Sequence, residues 1–146
     1  MLRPIGIMLG LLVAGLGLAQ RATDLPAQQQ AEIRAVIEAQ LAAFQKDDAV
    51  LAFSFAAPGI RQVFQTPERF LQMVKQSYRP LYRPARVEFT ALGVIQGAPT
   101  QVLTVTDQEG IRYRAYYVME RQPDRSWKIA GVYLEPLPAE APPQSA

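Results

Sequence analysis

The hydrophobic residues of this chain change their spacing near Pro84, and this change limits the fold more than any other feature of the sequence. Before Pro84 the apolar residues recur at the spacing of a buried helix face. After it they alternate with polar residues, as in strands that bury one face. The sequence therefore predicts helices followed by strands.

Three N-terminal helices are predicted, over residues 25–46, 48–55 and 66–80. Asp24 and Thr66 are typical N-cap residues for the first and third helices. The first helix carries a continuous apolar face, which consists of Ile33, Val36, Ile37, Leu41 and Phe44. We expect this face to be buried.

Four strands are predicted over residues 86–95, 101–107, 111–121 and 126–134. Short turns rich in Gly, Pro and Asp separate them, and gaps this short join antiparallel neighbours. Helices grouped ahead of an antiparallel sheet cover one of its faces. The expected fold is therefore α+β, with three helices packed on a curved four-stranded antiparallel sheet.

The alternation in the last two strands predicts which side chains point toward the helices. The inward set is Tyr113, Ala115, Tyr117, Met119, Trp127, Ile129, Gly131 and Tyr133. The outward set includes the apolar residues Tyr116, Val118, Val132 and Leu134. An exposed apolar face of this kind is typical of an association surface, so a homodimer through the outer sheet face is one hypothesis.

Residues 1–19 have the three-part layout of a secretory signal peptide, with Arg3, an apolar run and the small residues Gly17 and Ala19. A retained membrane anchor is the alternative, but a spanning helix needs about 20 apolar residues and this run is shorter. We therefore expect a periplasmic or secreted protein with no membrane span after cleavage. Residues 20–135 are expected to form a single domain, and residues 136–146 a disordered Pro/Ala-rich tail.

The composition excludes several kinds of chemistry. The chain has no cysteine and no histidine, so disulfides, thiolate nucleophiles, Ser–His pairs and imidazole metal ligands are all ruled out. We predict no catalytic motif, no cofactor and no metal site. The formal net charge is only +2, which does not indicate a nucleic-acid partner.

Four stretches of the sequence resemble a known family. They are residues 40–48 (QLAAFQKDD), residues 52–60 (AFSFAAPGI), the spaced residues of segment 70–80 (Phe70, Met73, Val74, Tyr78, Arg79, Pro80) and residues 127–132 (WKIAGV). Together they are similar to the domain of unknown function 4864 family of small exported bacterial proteins. That resemblance implies no activity, cofactor or catalytic residue. The order of elements resembles the cone-shaped nuclear transport factor 2-like (cystatin-like) superfamily, which implies a cavity between helices and sheet.

Six residues are candidates for contact with a ligand. Ser54 lies between two phenylalanines and is expected at the cavity rim; alternatively, its hydroxyl bonds a nearby backbone carbonyl. Arg79, Tyr82 and Arg83 belong to a repeated Tyr-Arg-Pro pattern whose guanidinium groups are suited to an anionic group. In the alternative reading, this segment is a stiff connector.

Tyr117 and Tyr133 complete the candidate set as phenols on the inner face of the sheet, although either can equally belong to the core. The adjacent Asp47 and Asp48 fit helix capping better than paired-carboxylate or cation chemistry, because adjacent helical residues do not share a face.

The sequence is compatible with three functions. The first is a non-catalytic module of the cell envelope that binds a small apolar or anionic ligand or a partner. The second is an isomerase- or hydrolase-like enzyme that uses tyrosine and a carboxylate, which requires an acid inside the cavity. The third is a dimerising structural protein.

Overall fold

The computed structural model describes residues 25–139, so the predicted signal peptide and the end of the predicted tail lie outside the described residues. Within them, five helices come first: α1 Ala27–Gln45, α2 Ala49–Ser54, α3 Pro58–Phe64, α4 Pro67–Ser77 and α5 Arg79–Tyr82. Four strands follow: β1 Arg86–Ile95, β2 Ala98–Thr106, β3 Arg112–Arg121 and β4 Trp127–Pro136. The change from helix to strand at Pro84 is confirmed.

Helix α1 buries the face that its apolar spacing predicts. Ile33, Ile37, Leu41 and Phe44 are all buried, and the polar Gln40 is buried on the same face. A helix with this pattern is held by the tertiary packing of its apolar stripe. Across residues 25–139, neither α1 nor any other helix is long and apolar enough to span a membrane.

The predicted number of three helices is too low, because α3 and α5 are additional short helices. Both have a proline in their first turn, where its missing N–H is not needed for an intrahelical hydrogen bond. The sequence predicts only a turn at Pro58 and a helix end at Pro80. In the structure Pro58 is the first residue of α3 and Pro80 is the second residue of α5.

Side-chain caps begin α2 and α4 as predicted. The Asp48 Oδ1 accepts a hydrogen bond from the backbone N of Leu51 at 3.1 Å. The Thr66 Oγ1 accepts one from the backbone N of Arg69 at 3.2 Å. Each cap satisfies a donor that the first helical turn leaves without a partner.

The strands form one antiparallel sheet in the order β1-β2-β3-β4, which confirms the predicted hairpins and the α+β class. The first hairpin turns through Gln96 and Gly97, whose φ angles of 51° and 82° suit a tight two-residue turn. The helices cover one face of this sheet. That face contributes Leu103, Val105, Ala115, Tyr117, Met119, Trp127 and Ile129 to the core.

A β-bulge interrupts β4 at Ala130. Met119 pairs with Ile129, but the preceding residue of β3, Val118, pairs with Gly131. Ala130 is therefore one extra residue in β4. Since side chains alternate with a period of two, every position of β4 after the bulge faces the side opposite to the one that the sequence predicts.

The bulge corrects the predicted orientation of the end of β4. Val132 pairs with Tyr117 and, like Leu134, packs against the core. Tyr133 pairs with Tyr116 on the outer face and is 66% exposed. The predictions that Val132 and Leu134 face outward, and that Tyr133 faces inward, are therefore wrong.

The segment between α2 and α3 is hydrogen-bonded to β4 just before the bulge. The backbone N of Ile129 donates to the Phe55 carbonyl, and the backbone N of Ala57 donates to the Ile129 carbonyl, both at 2.8 Å. The Lys128 Nζ also donates to the Ser54 carbonyl at 2.7 Å. These bonds join the helices to the edge of the sheet.

The sheet continues slightly beyond the predicted domain end. Strand β4 includes Pro136, and the backbone N of Leu137 donates to the Arg112 carbonyl at 2.9 Å. Residue 136 is thus part of the sheet, and residue 137 is hydrogen-bonded to it.

The bulge predicts that a charged side chain is tolerated at position 133 and not at the neighbouring position 132. Val132→Asp places a charge against the core and should lower the free energy of unfolding by about 2 kcal/mol or more. In the monomer, Tyr133→Asp should change it by no more than about 0.5 kcal/mol, because that side chain is exposed. Urea denaturation of the two variants, at concentrations where each sediments as a monomer, measures both effects. The reverse ranking would show that β4 has no bulge at Ala130.

Candidate functional site

An apolar cavity of about 280 Å³ lies between α1, α3, α4 and the edge strand β4. Most of its wall consists of hydrophobic side chains: Phe44, Ala56, Ile60, Phe64, Phe70, Met73, Val74, Leu81, Ile129 and Val132. A concave apolar site with few polar groups is the usual form of a small-molecule pocket. Its volume is just below the usual range of about 300–1,000 Å³ for such sites.

Phe70 of α4 forms the centre of an aromatic cluster behind the cavity. Its ring centroid lies 5.4 Å from that of Phe53, 5.9 Å from that of Phe64 and 6.3 Å from that of Phe44. These distances are within the range of favourable aromatic pairs. The cluster links α1, α2, α3 and α4 and keeps one side of the cavity in place.

Two polar side chains line the interior of the cavity. The Tyr78 hydroxyl donates to the Val132 carbonyl at 3.0 Å, on the free edge of β4. The Gln40 side chain is only 3% exposed, and its Nε2 donates to the Ala52 carbonyl at 3.1 Å. No Asp, Glu, Lys or Arg is among the residues that line the cavity.

Gln40 was not among the predicted site residues, although the sequence contains a signal for it. It lies on the same helical stripe as Ile37, Leu41 and Phe44, where the amphipathic pattern calls for an apolar residue. A polar residue inside an apolar stripe is either hydrogen-bonded in the core or faces a cavity. In α1 it does both.

The two candidate tyrosines occupy different places. Tyr117 is fully buried in the core, and burial raises its pKa. Its hydroxyl has no hydrogen-bond partner among the described residues. Tyr133 lies at the cavity mouth, where its ring is 4.0 Å from the position that a Cβ on Gly131 would take. Of these two residues, only Tyr133 lines the cavity.

Ser54 forms a local hydrogen bond. Its Oγ donates to the Leu51 carbonyl at 2.6 Å, which matches the alternative reading of this residue. The two phenylalanines that flank Ser54 also stabilise the fold. Phe53 is buried in the core, and the backbone of Phe55 is hydrogen-bonded to β4.

Tyr82 and Arg83 bind Asp47 from a different part of the chain. The Tyr82 hydroxyl donates to Asp47 Oδ1, and the Arg83 Nη2 donates to Oδ2 at 3.2 Å. The Arg83 Nη1 also donates to the Phe44 carbonyl at 2.6 Å, which caps the end of α1. The bond from Tyr82 and the positive charges of Arg83 and Lys75 lower the pKa of Asp47. The same bond raises the pKa of Tyr82.

Arg79 and Arg83 do not combine with nearby arginines into one anion site, because the arginines of this region make separate contacts. Arg83 is bonded to Asp47. The Arg86 Nε lies 3.5 Å from the Glu88 Oε1, and the Arg114 Nη1 lies 3.6 Å from the Glu135 Oε1. Arg79 is exposed and borders an open hollow together with Arg83. Asp107 and Glu109 border the same hollow, and their charges oppose the binding of an anion there.

The acidic residues with tyrosine partners lie outside the cavity. They form the pairs Tyr82–Asp47 and Tyr113–Asp107, the second with an oxygen–oxygen distance of 3.4 Å. Asp107 also accepts hydrogen bonds from the backbone N of Glu109 and of Ile111, so it stabilises the turn before β3. Residues 25–139 contain no group of three or more acidic side chains that is able to hold a metal ion.

The family model described as "Domain of unknown function (DUF4864)" matches residues 26–142. The chain belongs to this family. No match was found among the curated proteins or among the solved structures.

The four stretches that carry the DUF4864 resemblance meet at the cavity. Each contributes to its wall: Gln40 and Phe44 from the first, Ala56 and Ile60 from the second, Phe70, Met73, Val74 and Tyr78 from the third, and Ile129, Gly131 and Val132 from the fourth. These stretches are far apart in the sequence, and the fold brings them to one site.

In this DUF4864 domain, Tyr82→Phe should raise the pKa of Asp47, because it removes the hydrogen bond that lowers it most. The folded-state pKa of Asp47 lies below its ordinary value of 3.8, so the ionised carboxylate stabilises the fold above that pH. This contribution is lost as the pH falls through the folded-state pKa. The wild type should therefore be more stable than Tyr82→Phe at neutral pH, and the difference should shrink in acid.

Urea denaturation at a series of pH values measures this difference. Tyr133→Phe is the matched control, because it removes a hydroxyl from an exposed tyrosine. A pH-independent difference between the wild type and Tyr82→Phe would mean that Tyr82 does not act through Asp47.

Proposed function

We propose that this domain binds a small apolar molecule in the cavity between α3, α4 and β4. The observation that carries the proposal is the cavity itself, an apolar space of about 280 Å³ whose lining contains no charged side chain. Burial of apolar surface contributes about 25 cal/mol per Å², so a molecule that fills this space gains most of its binding energy from desolvation. No covalent step is needed.

Exported placement is part of this proposal. The signal-peptide pattern of residues 1–19 supports a role in the bacterial cell envelope or outside the cell. The order of helices before an antiparallel sheet, with a cavity between the two layers, supports a cone fold of the nuclear transport factor 2-like type.

The geometry favours binding over tyrosine–carboxylate catalysis. Such an enzyme requires an acid beside a tyrosine in the site. Tyr78 and Tyr133 line the cavity, but the carboxylates that contact tyrosines, Asp47 and Asp107, lie elsewhere.

Filling the cavity should abolish binding. Ile60 of α3 lines the cavity and is partly buried, so Ile60→Trp places a bulky indole ring in the binding space. Val63 lies on the same helix and is 72% exposed, which makes Val63→Trp the matched control. Isothermal titration calorimetry with n-octanol and with its isomer heptyl methyl ether measures the affinities. Ile60→Trp should weaken both ligands at least about tenfold, a loss of about 1.4 kcal/mol.

Val63→Trp should bind both ligands as the wild type does. Absence of binding by the wild type, or equal loss in the two variants, would contradict a ligand site in this cavity.

We also propose that the outer face of the sheet associates with a second copy of the chain. Tyr133 and Ile95 are 66% and 49% exposed there, and with Tyr116 and Val118 they border an open groove of about 420 Å³. Exposed apolar groups gathered in this way are typical of an interface. The sequence predicts Val132 and Leu134 on this outer face. Because of the bulge, Tyr133 lies there instead.

The charges on this face of the sheet support a second copy as the partner. Arg114 is paired with Glu135, two residues from Tyr116 and Tyr133 along their strands, and Arg86 is paired with Glu88 at the far end of β1. A face whose charges are already balanced does not repel an identical face.

Sedimentation velocity tests this association. The wild type should sediment as a dimer at micromolar concentration, and Val118→Glu should be a monomer, because it buries an unpaired charge in the interface. Val50→Glu is the control, since Val50 is 67% exposed on α2 and away from the sheet. A monomeric wild type would remove the proposal.

A further inference from the structure

The position of Gln40 carries information about the ligand. Its side chain is 3% exposed and lines a cavity whose other walls are almost entirely apolar. A buried amide in such a place has a cost unless its donor and its acceptor both find partners. One of the two has a partner in the protein, and the identity of that partner fixes how the amide is oriented.

The amide of Gln40 has only one reasonable orientation. Its nitrogen donates to the Ala52 carbonyl at 3.1 Å. If the amide were rotated, its oxygen would face that carbonyl oxygen, and two acceptors would repel each other. The backbone N of Ala52 offers no alternative partner, because it donates to the Asp48 carbonyl at 3.0 Å. The amide oxygen therefore points away from Ala52.

That oxygen has no hydrogen-bond donor among residues 25–139, and the hydrogen bond of the Gln40 side chain is made by its nitrogen. The described side-chain polar atoms that are sealed in the core without a partner are the Tyr117 hydroxyl and the Trp127 Nε1. Gln40 Oε1 is not sealed, so it has open space in front of it. Since the residue is almost completely buried and lines the cavity, that space is the cavity.

The second polar group of the cavity has only acceptor capacity left. The single proton of the Tyr78 hydroxyl is used in the bond to the Val132 carbonyl, which leaves the lone pairs of its oxygen. No cationic side chain is among the lining residues. Apart from the second N–H of the Gln40 amide, the interior polar groups of the cavity therefore present acceptors to a ligand: Gln40 Oε1 and the Tyr78 oxygen.

We propose that the ligand is a neutral, mainly apolar molecule with a hydroxyl or N–H group that donates to Gln40 Oε1. This inference rests on the proposed function of the cavity and specifies its ligand class. A carboxylate or phosphate does not fit, because it brings no proton for Gln40 Oε1 or the Tyr78 oxygen and the lining contains no positive charge to balance its own.

The pair n-octanol and heptyl methyl ether tests the inference, because the two isomers differ in the presence of one O–H donor. Gln40→Met removes the acceptor and keeps an unbranched side chain of similar length. It should weaken n-octanol about three- to tenfold, the usual effect of one hydrogen bond, and change the ether by less than about twofold. Calorimetric dissociation constants of both ligands for both proteins give this comparison, in which the unequal hydration of the two ligands cancels.

Gln101→Met is the matched control. Gln101 is also a buried glutamine, 6% exposed, and its Nε2 donates to the Ala91 carbonyl at 2.8 Å, but it does not line this cavity. This variant should lose comparable stability and bind both ligands as the wild type does. If Gln40→Met does not fold, the wild type alone decides: the side-chain carbonyl carbon resonance of Gln40 should shift with n-octanol and not with the ether.

The outcomes separate the two proposals. If both ligands bind and Gln40→Met weakens them equally or not at all, the cavity is a ligand site and the inference about its donor is wrong. If neither ligand binds to the wild type, the proposed function fails and the inference fails with it. Binding of n-octanoate as tightly as n-octanol would also overturn the inference.

Discussion

The double hydrogen bond between Ile129 and the segment Phe55–Ala57 is the contact on which the rest of the structure depends. The N–H and the carbonyl of Ile129 are both bonded to this segment, so it acts as a short extra strand beside β4. A single residue on the sheet edge thereby fixes where α2 ends and α3 begins. Because α3 starts at Pro58, directly after this contact, its apolar side chains are held over β4 and one wall of the cavity is formed.

The sequence was sufficient to predict the layers of the fold and insufficient to predict the orientation of the end of β4. The spacing of apolar residues predicted α1, the caps at Asp48 and Thr66 and the four antiparallel strands, because each depends on local and periodic preferences. The bulge at Ala130 depends on how β4 pairs with β3, and such pairing has no local signature in the sequence. One inserted residue was enough to reverse the predicted faces of Val132 and Tyr133.

The candidate site was less predictable than the fold, because residue chemistry alone does not distinguish a ligand contact from a structural contact. Ser54 and Arg83 have the groups that ligands use, but their groups are engaged by the Leu51 carbonyl and by Asp47. The cavity is instead lined by residues that, in the sequence, resemble ordinary core residues. Its distinguishing residue, Gln40, was detectable as a polar interruption of an apolar stripe, but its orientation required the position of the Ala52 carbonyl.

The energetics of Gln40 explain why an amide at this position is informative. A buried acceptor without a donor costs about 1–3 kcal/mol, so methionine or leucine at this position would suit an empty apolar cavity better. The bond to the Ala52 carbonyl accounts for one N–H of the amide but not for its oxygen. A group that docks α1 on α2 needs a donor alone, whereas a group that also recognises a molecule in the cavity needs the acceptor as well. The nitrogen of Gln40 has a partner in the protein and its oxygen has none among the described residues. This difference indicates that the side chain contributes to ligand recognition as well as to packing.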